Sequence, residues 1–143
     1  MESGNHPYND CLCFNVRRLT RRLTHVYDRH LAEAGLTITQ FSLLTALETA
    51  GTDGLAMSAF ARAMDMDNST LTRTLRVLER EGLVRMIHGE DRRQRRASLT
   101  GSGEQRLRAA QPHWHQAQDE ITAALGPEAI GVLRQFVHQS PPL

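Results

Sequence analysis

The chain has no lysine: all 17 of its positive side chains are arginine. Selection for forked phosphate binding or a GC-rich coding sequence would each produce this bias, and on composition alone the second is preferred. No apolar run approaches the roughly 18 residues that a membrane span requires, and residues 1–10 lack the basic and apolar segments of a secretory signal. A cytoplasmic location is expected. Only two cysteines occur, Cys11 and Cys13. Two positions apart, they cannot staple distant segments as a secreted disulfide framework does. Gly-rich phosphate loops, nucleophile elbows and paired catalytic carboxylates are all missing, so an enzyme reading rests on Cys13 alone, as a peroxidatic thiol.

What is present suits one folded domain: 143 residues, 40% of them hydrophobic and 23% charged, with a formal charge of only +1. That total conceals an uneven distribution. From Asn68 to Arg96 there are eight arginines against four acids, a local net of +4, so the remainder sums to −3. Clustered arginine in a nearly neutral chain is the electrostatic footprint of a nucleic-acid partner, and it is equally what a solvated helix face would give. Position within the fold has to decide.

The chain order supplies that position. Phe14, Val16, Leu19, Leu23, Val26 and Leu31 recur at a helical spacing between about Asp10 and Ala34, with Gly35 suited to close the helix. Thr37 with Gln40 forms a capping box for a second helix through Phe41, Leu43, Leu44 and Leu47. Ser58 is expected to cap a third, short helix carrying Phe60, Ala61 and Met64. A polar turn then leads to a fourth, capped by Asp67 or Asn68, with Leu71, Leu75 and Leu78 as its buried stripe and Gly82 as its stop. Leu83–Ile87 and Arg96–Thr100 read as strands of a hairpin with a basic tip. Helical patterning resumes from about Ser102 to Leu125, breaks at Gly126-Pro127, and ends in a helix with Ile130, Val132, Leu133, Phe136 and Val137.

Helix, turn, second helix and basic hairpin, in that order, describe a mainly α winged helix-turn-helix, flanked here by long terminal helices. Its second helix would enter a DNA major groove. Asn68, Ser69, Thr70, Thr72, Arg73 and Arg76 supply hydroxyl, amide and guanidinium groups there while the leucines face inward. An exposed polar face with no partner is the alternative.

On Leu71-Thr72-Arg73, Leu78-Glu79-Arg80-Glu81-Gly82-Leu83-Val84, Asp91-Arg92-Arg93 and Leu99-Thr100-Gly101-Ser102-Gly103, the sequence resembles the multiple antibiotic resistance regulator (MarR) family over nearly its whole length. The resemblance implies a homodimeric transcription regulator on a pseudo-palindromic operator, commonly a repressor. It also implies an Asp-x-Arg wing motif in which Asp91 orients Arg93 into the minor groove. Arg92, Arg95 and Arg96 would be available for phosphates.

Cys13-Phe14, Tyr27 and Leu36-Thr37-x-x-Gln40-Phe41 resemble the organic hydroperoxide branch of the family, in which the matching cysteine senses oxidation. A thiolate at a helix start attacks a peroxide and becomes a bulkier sulfenic acid. The departures are Ile38, where that branch has a second tyrosine, Thr39 in place of its proline, and the additional Cys11. Cys13, with Cys11 and Tyr27, is therefore a candidate redox sensor, and a buried structural thiol is the other reading. Tyr27 lies about four turns from Cys13, roughly 21 Å along the helix, so it would have to meet a cysteine of the other subunit.

No metal or cofactor is expected: His113 and His115 alternate on a helix and no third ligand accompanies either. Pro112 is expected to bend the last long helix, and Trp114 to pack at a dimer interface. The expected organisation is one domain over 1–143, with dimerisation helices at about 10–34 and 102–143 around a DNA-binding region at about 37–100. The partners are double-stranded DNA, a second copy, and a small effector or peroxide. A winged-helix dimer that binds protein instead of DNA, and a thiol peroxidase-like protein, are the rival readings.

Overall fold

A computed structural model describes residues 8–91 and 94–140. Six helices and three short strands follow one another as α1 (Leu12–Leu31), α2 (Ile38–Ala50), β1 (Leu55–Ala56), α3 (Met57–Ala63), α4 (Asn68–Arg80), β2 (Val84–Ile87), β3 (Arg96–Leu99), α5 (Gly101–Leu125) and α6 (Pro127–Gln139). The fold is mainly α, as expected.

Local chemistry sets most boundaries. After α1 a single 3-10 turn, Ala32–Ala34, ends at Gly35 in the left-handed conformation (φ 69°). The Thr37 hydroxyl then accepts from the Gln40 amide while the Gln40 side chain accepts from the Thr37 amide, so both bonds of the capping box are made. Asp67 caps α4, its carboxylate accepting the Thr70 amide at 2.6 Å.

Two expectations need correction, and one strand was not expected. Ser58 does not cap α3: the helix is already entered at Met57, whose amide is held by the Arg95 carbonyl, so Ala56 takes the cap position. The pair Leu55-Ala56 forms a strand too short for any alternation to reveal, antiparallel to β3 with Leu55 opposite Ala97. Thr100 does not end β3 but begins α5, because its hydroxyl accepts from the Gly103 amide and donates to the Gly82 carbonyl. Trp114, half-buried, lies on Phe41 and Tyr27 of its own chain. At Pro112, α5 continues as one helix from Gly101 to Leu125.

The core is a set of fully buried leucines from every helix except α3 and α6, namely Leu31, Leu43, Leu44, Leu47, Leu71, Leu75, Leu78 and Leu107, closed by Phe60 of α3. Burying each such side chain contributes about 1.5–3 kcal/mol before conformational entropy is counted. The sheet runs β1-β3-β2, all antiparallel, with Val84 opposite Leu99 and Ile87 opposite Arg96. Gly54 lets the loop before β1 cross β3, since a side chain there would collide with the Ala97 carbonyl. The helix pair α3–α4 and the β2–β3 hairpin are thereby fixed to one small scaffold.

Packing also sorts the helices into two groups. Residues of α1 contact α5 extensively, while α4 contacts β2 and α3. No residue of α6 is buried. Val132, Leu133, Phe136 and Val137 are exposed along it, as are Leu12 and Val16 of α1.

Candidate nucleic-acid interface

With Leu71, Leu75 and Leu78 turned into the core, a 3.6-residue period places Ser69, Arg73, Arg76 and Arg80 on the opposite side of α4. All four are exposed. Asn68 and Thr72 flank that face toward the hairpin, and half-buried Thr70 flanks it toward the start of α2. Six of the sequence-selected residues therefore lie on or beside one outward surface. Arg80 belongs with them and was missed, although extending the same period by one turn would have found it.

Hydrogen bonds organise this surface internally. The Asp67 carboxylate accepts from the Thr70 amide and from the Ser69 hydroxyl, and the Thr72 hydroxyl donates to the Asn68 carbonyl at 2.7 Å. Bonds from Thr70, then from Ser69, hold the Asp67 carboxyl below its ordinary range, with Arg73 adding a smaller pull. The cap thus keeps a negative charge at the positive end of the α4 dipole.

Between α4 and the hairpin lies a cavity of about 570 Å³. Met57, Leu75 and Met86 line it together with Asn68, Thr72, Arg76, Glu79, His88 and Arg95. Arg76 of the helix and Arg95 of the hairpin therefore border one concave space. Arg95 and Asp91 are exposed, and the Asp91 carbonyl accepts the Gln94 amide. Arg92 and Arg93 lie outside the described residues. Arg96, expected to be available for phosphates, is engaged elsewhere: its guanidinium donates to the Asp53 and Gly54 carbonyls at 2.9 and 3.0 Å. It fixes β3 to the α2–β1 turn.

Comparison with known proteins identifies this arrangement. The family profile described as "MarR family" matches residues 36–94. The solved M. tuberculosis transcriptional regulator MosR is 37% identical, with a TM-score of 0.77, over 92% of this chain and 98% of that one. The chain belongs to the MarR family. MosR has also been solved in complex with DNA, and that structure matches with 37% identity and a TM-score of 0.77 over 89% of this chain and 94% of the other. Two shorter similarities are to the HTH-type transcriptional regulator SarZ of Staphylococcus haemolyticus (32% over 93 residues, 64% of this chain) and the HTH-type transcriptional repressor YetL of Bacillus subtilis (31% over 90 residues, 62% of this chain). Those matches span 62% and 54% of the relatives' own lengths. Membership places the chain among transcription regulators and not among enzymes, which removes the thiol peroxidase reading.

The MarR-family placement leaves the cysteines to be located. Both are exposed free thiols at the start of α1. Cys11 is not on the helix: it is the extended cap residue (φ −77°, ψ 110°), while Cys13 sits in the first turn. A buried structural thiol is thus excluded for Cys13 in the single chain. Tyr27 stacks on Trp114 with ring centroids 6.5 Å apart, and its hydroxyl donates to the Gln118 side chain. Burial raises the Tyr27 phenol above its ordinary value. Among the described residues, no group of three or more His, Cys, Asp or Glu could hold a metal ion, and no helix is long and apolar enough to cross a membrane.

Proposed function

We propose that this MarR-family chain is a cytoplasmic, homodimeric transcriptional repressor of a pseudo-palindromic operator. In each subunit α4 enters the major groove, where Arg73 and Arg76 contact bases and phosphates, with Asn68, Ser69, Thr70 and Thr72 around them. The hairpin approaches the adjacent minor groove with Arg93, oriented by Asp91, and Arg92 and Arg95 contact phosphates. One observation carries the reading: the arginine face of α4 stands opposite its leucines and beside a basic hairpin, in a fold whose MosR relative was solved on DNA. The repressor role follows the name of YetL.

A dimer is supported by apolar surface that a single chain leaves uncovered. Phe136 and Val137 of α6 are 67% and 77% exposed, and Leu12 of α1 is 77% exposed. A groove of about 790 Å³ between the two helices is lined by Leu19, Val132 and Leu133. A second copy would bury this surface, making 10–34 and 102–143 the dimerisation helices around a DNA-binding region at 37–100. Release by a small effector, or by oxidation of the exposed Cys13 and Cys11, completes the cycle.

Anisotropy titrations at two salt concentrations test the core of the reading. A duplex selected by the protein from a randomised pool should bind more tightly than one of mixed sequence, and Arg93→Ala should weaken the selected complex without altering dimerisation or melting temperature. Equal affinity for both duplexes at both salts favours the protein-binding rival.

A further inference from the structure

The sequence carries a second basic segment that the operator reading does not use. Helix α1 holds Arg17, Arg18, Arg21, Arg22 and Arg29 against a single acid, Asp28, a net of +4 that equals the net of residues 68–96. The rest of the chain then sums to −7. Net positive charge in this protein is thus confined to two segments.

Internal pairing does not dispose of the α1 charge. Asp28 is half-buried and accepts the Ile38 amide at 2.7 Å, and Arg29 is paired with Glu120 at 2.6 Å. Arg17, Arg18, Arg21 and Arg22 are all exposed, and among the described residues none has a carboxylate within ion-pair distance. The period of α1 puts Arg17 and Arg21, with exposed His25, opposite Leu19, Leu23 and Val26, which turn toward α5, and puts Arg18 and Arg22 along one flank between the two sides. They form two rows that repeat every four residues, about 6 Å along the axis.

We propose that this face of α1 is a second nucleic-acid surface, which grips the phosphate backbone of duplex DNA without reading its sequence. The side chains present select that occupant. A protein partner would need an apolar anchor. The exposed apolar residues of α1, Leu12 and Val16, lie on the other side of the helix, and Phe14 is covered by the Arg18 guanidinium 5.5 Å from its centroid. An anionic membrane would need the whole apolar side of the helix to insert, and beyond Leu12 and Val16 that side is packed toward α5. A phosphate backbone needs only forked cations in a row. A subunit with two such surfaces can hold its operator with one and a separate stretch of DNA with the other.

The test uses the full-length protein bound to an immobilised duplex that it has selected from a randomised pool. A labelled duplex of mixed sequence, about 30 base pairs or three turns, is then offered. Wild type should retain the label, with retention falling steeply as salt rises. Arg17→Gln, Arg18→Gln, Arg21→Gln and Arg22→Gln together should cut retention about tenfold or more while leaving affinity for the selected duplex within about twofold. The pairs Arg17→Gln with Arg21→Gln and Arg18→Gln with Arg22→Gln should each give part of that loss, which keeps the test decisive if the fourfold variant misfolds. A protein with Arg73→Ala and Arg76→Ala should keep salt-sensitive binding to the mixed duplex in solution, an arm that stands even if the operator reading fails. Three results overturn the proposal: no retention by wild type, retention unchanged in the fourfold variant, or equal loss of the selected duplex, which would place α1 in the operator interface. Capture of anionic vesicles or polyglutamate in place of the mixed duplex overturns it as well.

Discussion

The rings of Phe41 and Trp114 lie nearly parallel, 6.0 Å between centroids and 12° between planes, joining α2 of the winged region to the long helix α5. Tyr27 of α1 also stacks on Trp114, so one indole links three helices. The only tryptophan of the chain is thus a joint between the long helices α1 and α5 and the winged region.

Trp114→Ala should therefore destabilise the fold by about 3 kcal/mol, near the low end for a large aromatic because the indole is only half-buried. Urea unfolding followed by circular dichroism, at fixed protein concentration, measures it. A loss below about 0.5 kcal/mol, the range of ordinary surface changes, would mean that the stack carries no packing energy.

Neighbouring arginines of the hairpin should behave differently. Arg95→Ala is expected to weaken binding to all duplex sequences alike, with melting unchanged. It should also make the salt slope shallower by about 0.9, because one phosphate fewer is neutralised. Arg96→Ala removes two bonds to backbone carbonyls, so it should lower stability by about 1–3 kcal/mol. Thermal melts beside anisotropy titrations separate the two, and an unshifted melting curve for Arg96→Ala would count against the anchor.

The cap of α4 should make stability depend on pH. Hydrogen bonds from Thr70 and Ser69 lower the Asp67 carboxyl in the folded chain below its ordinary 3.8, so its contribution is fully present above that value. It is lost as pH falls through the lower, folded value. Asp67→Ala should accordingly reduce the melting temperature at neutral pH, and the gap to wild type should narrow with acid. A gap that stays constant into acid would show that the charge of Asp67 plays no part.

Much of this was legible in the sequence because the signals were local. Thr37 with Gln40, Asp67, Gly35 and Gly82 each act within one turn, and the leucine period of α4 names both its buried side and its outward side. What escaped depended on contacts far along the chain. Ser58 lost the cap of α3 because the Met57 amide donates to the Arg95 carbonyl, nearly forty positions away, and Arg96 looked like a free cation until the Asp53 and Gly54 carbonyls came beside it. Trp114 sits 73 positions from Phe41, and no helical spacing records that pairing.

Arg73→Ala should cost about 1–3 kcal/mol on the selected duplex and relax preference at one base position, since a bidentate guanidinium discriminates by that amount. Equal losses on selected and mixed duplexes would reassign Arg73 to the phosphate backbone.

The central claim is a two-fold dimer that places two copies of α4 in successive major grooves on one side of the duplex, and half-site spacing tests it most directly. Anisotropy is measured on the selected duplex, on one with about 5 base pairs inserted between its half-sites, and on one with about 10 inserted. The half-turn insertion moves one half-site to the opposite side and should reduce affinity toward that for mixed sequence, while the full-turn insertion returns it to the same side and recovers part of the loss. Equal affinity for all three duplexes would contradict the account.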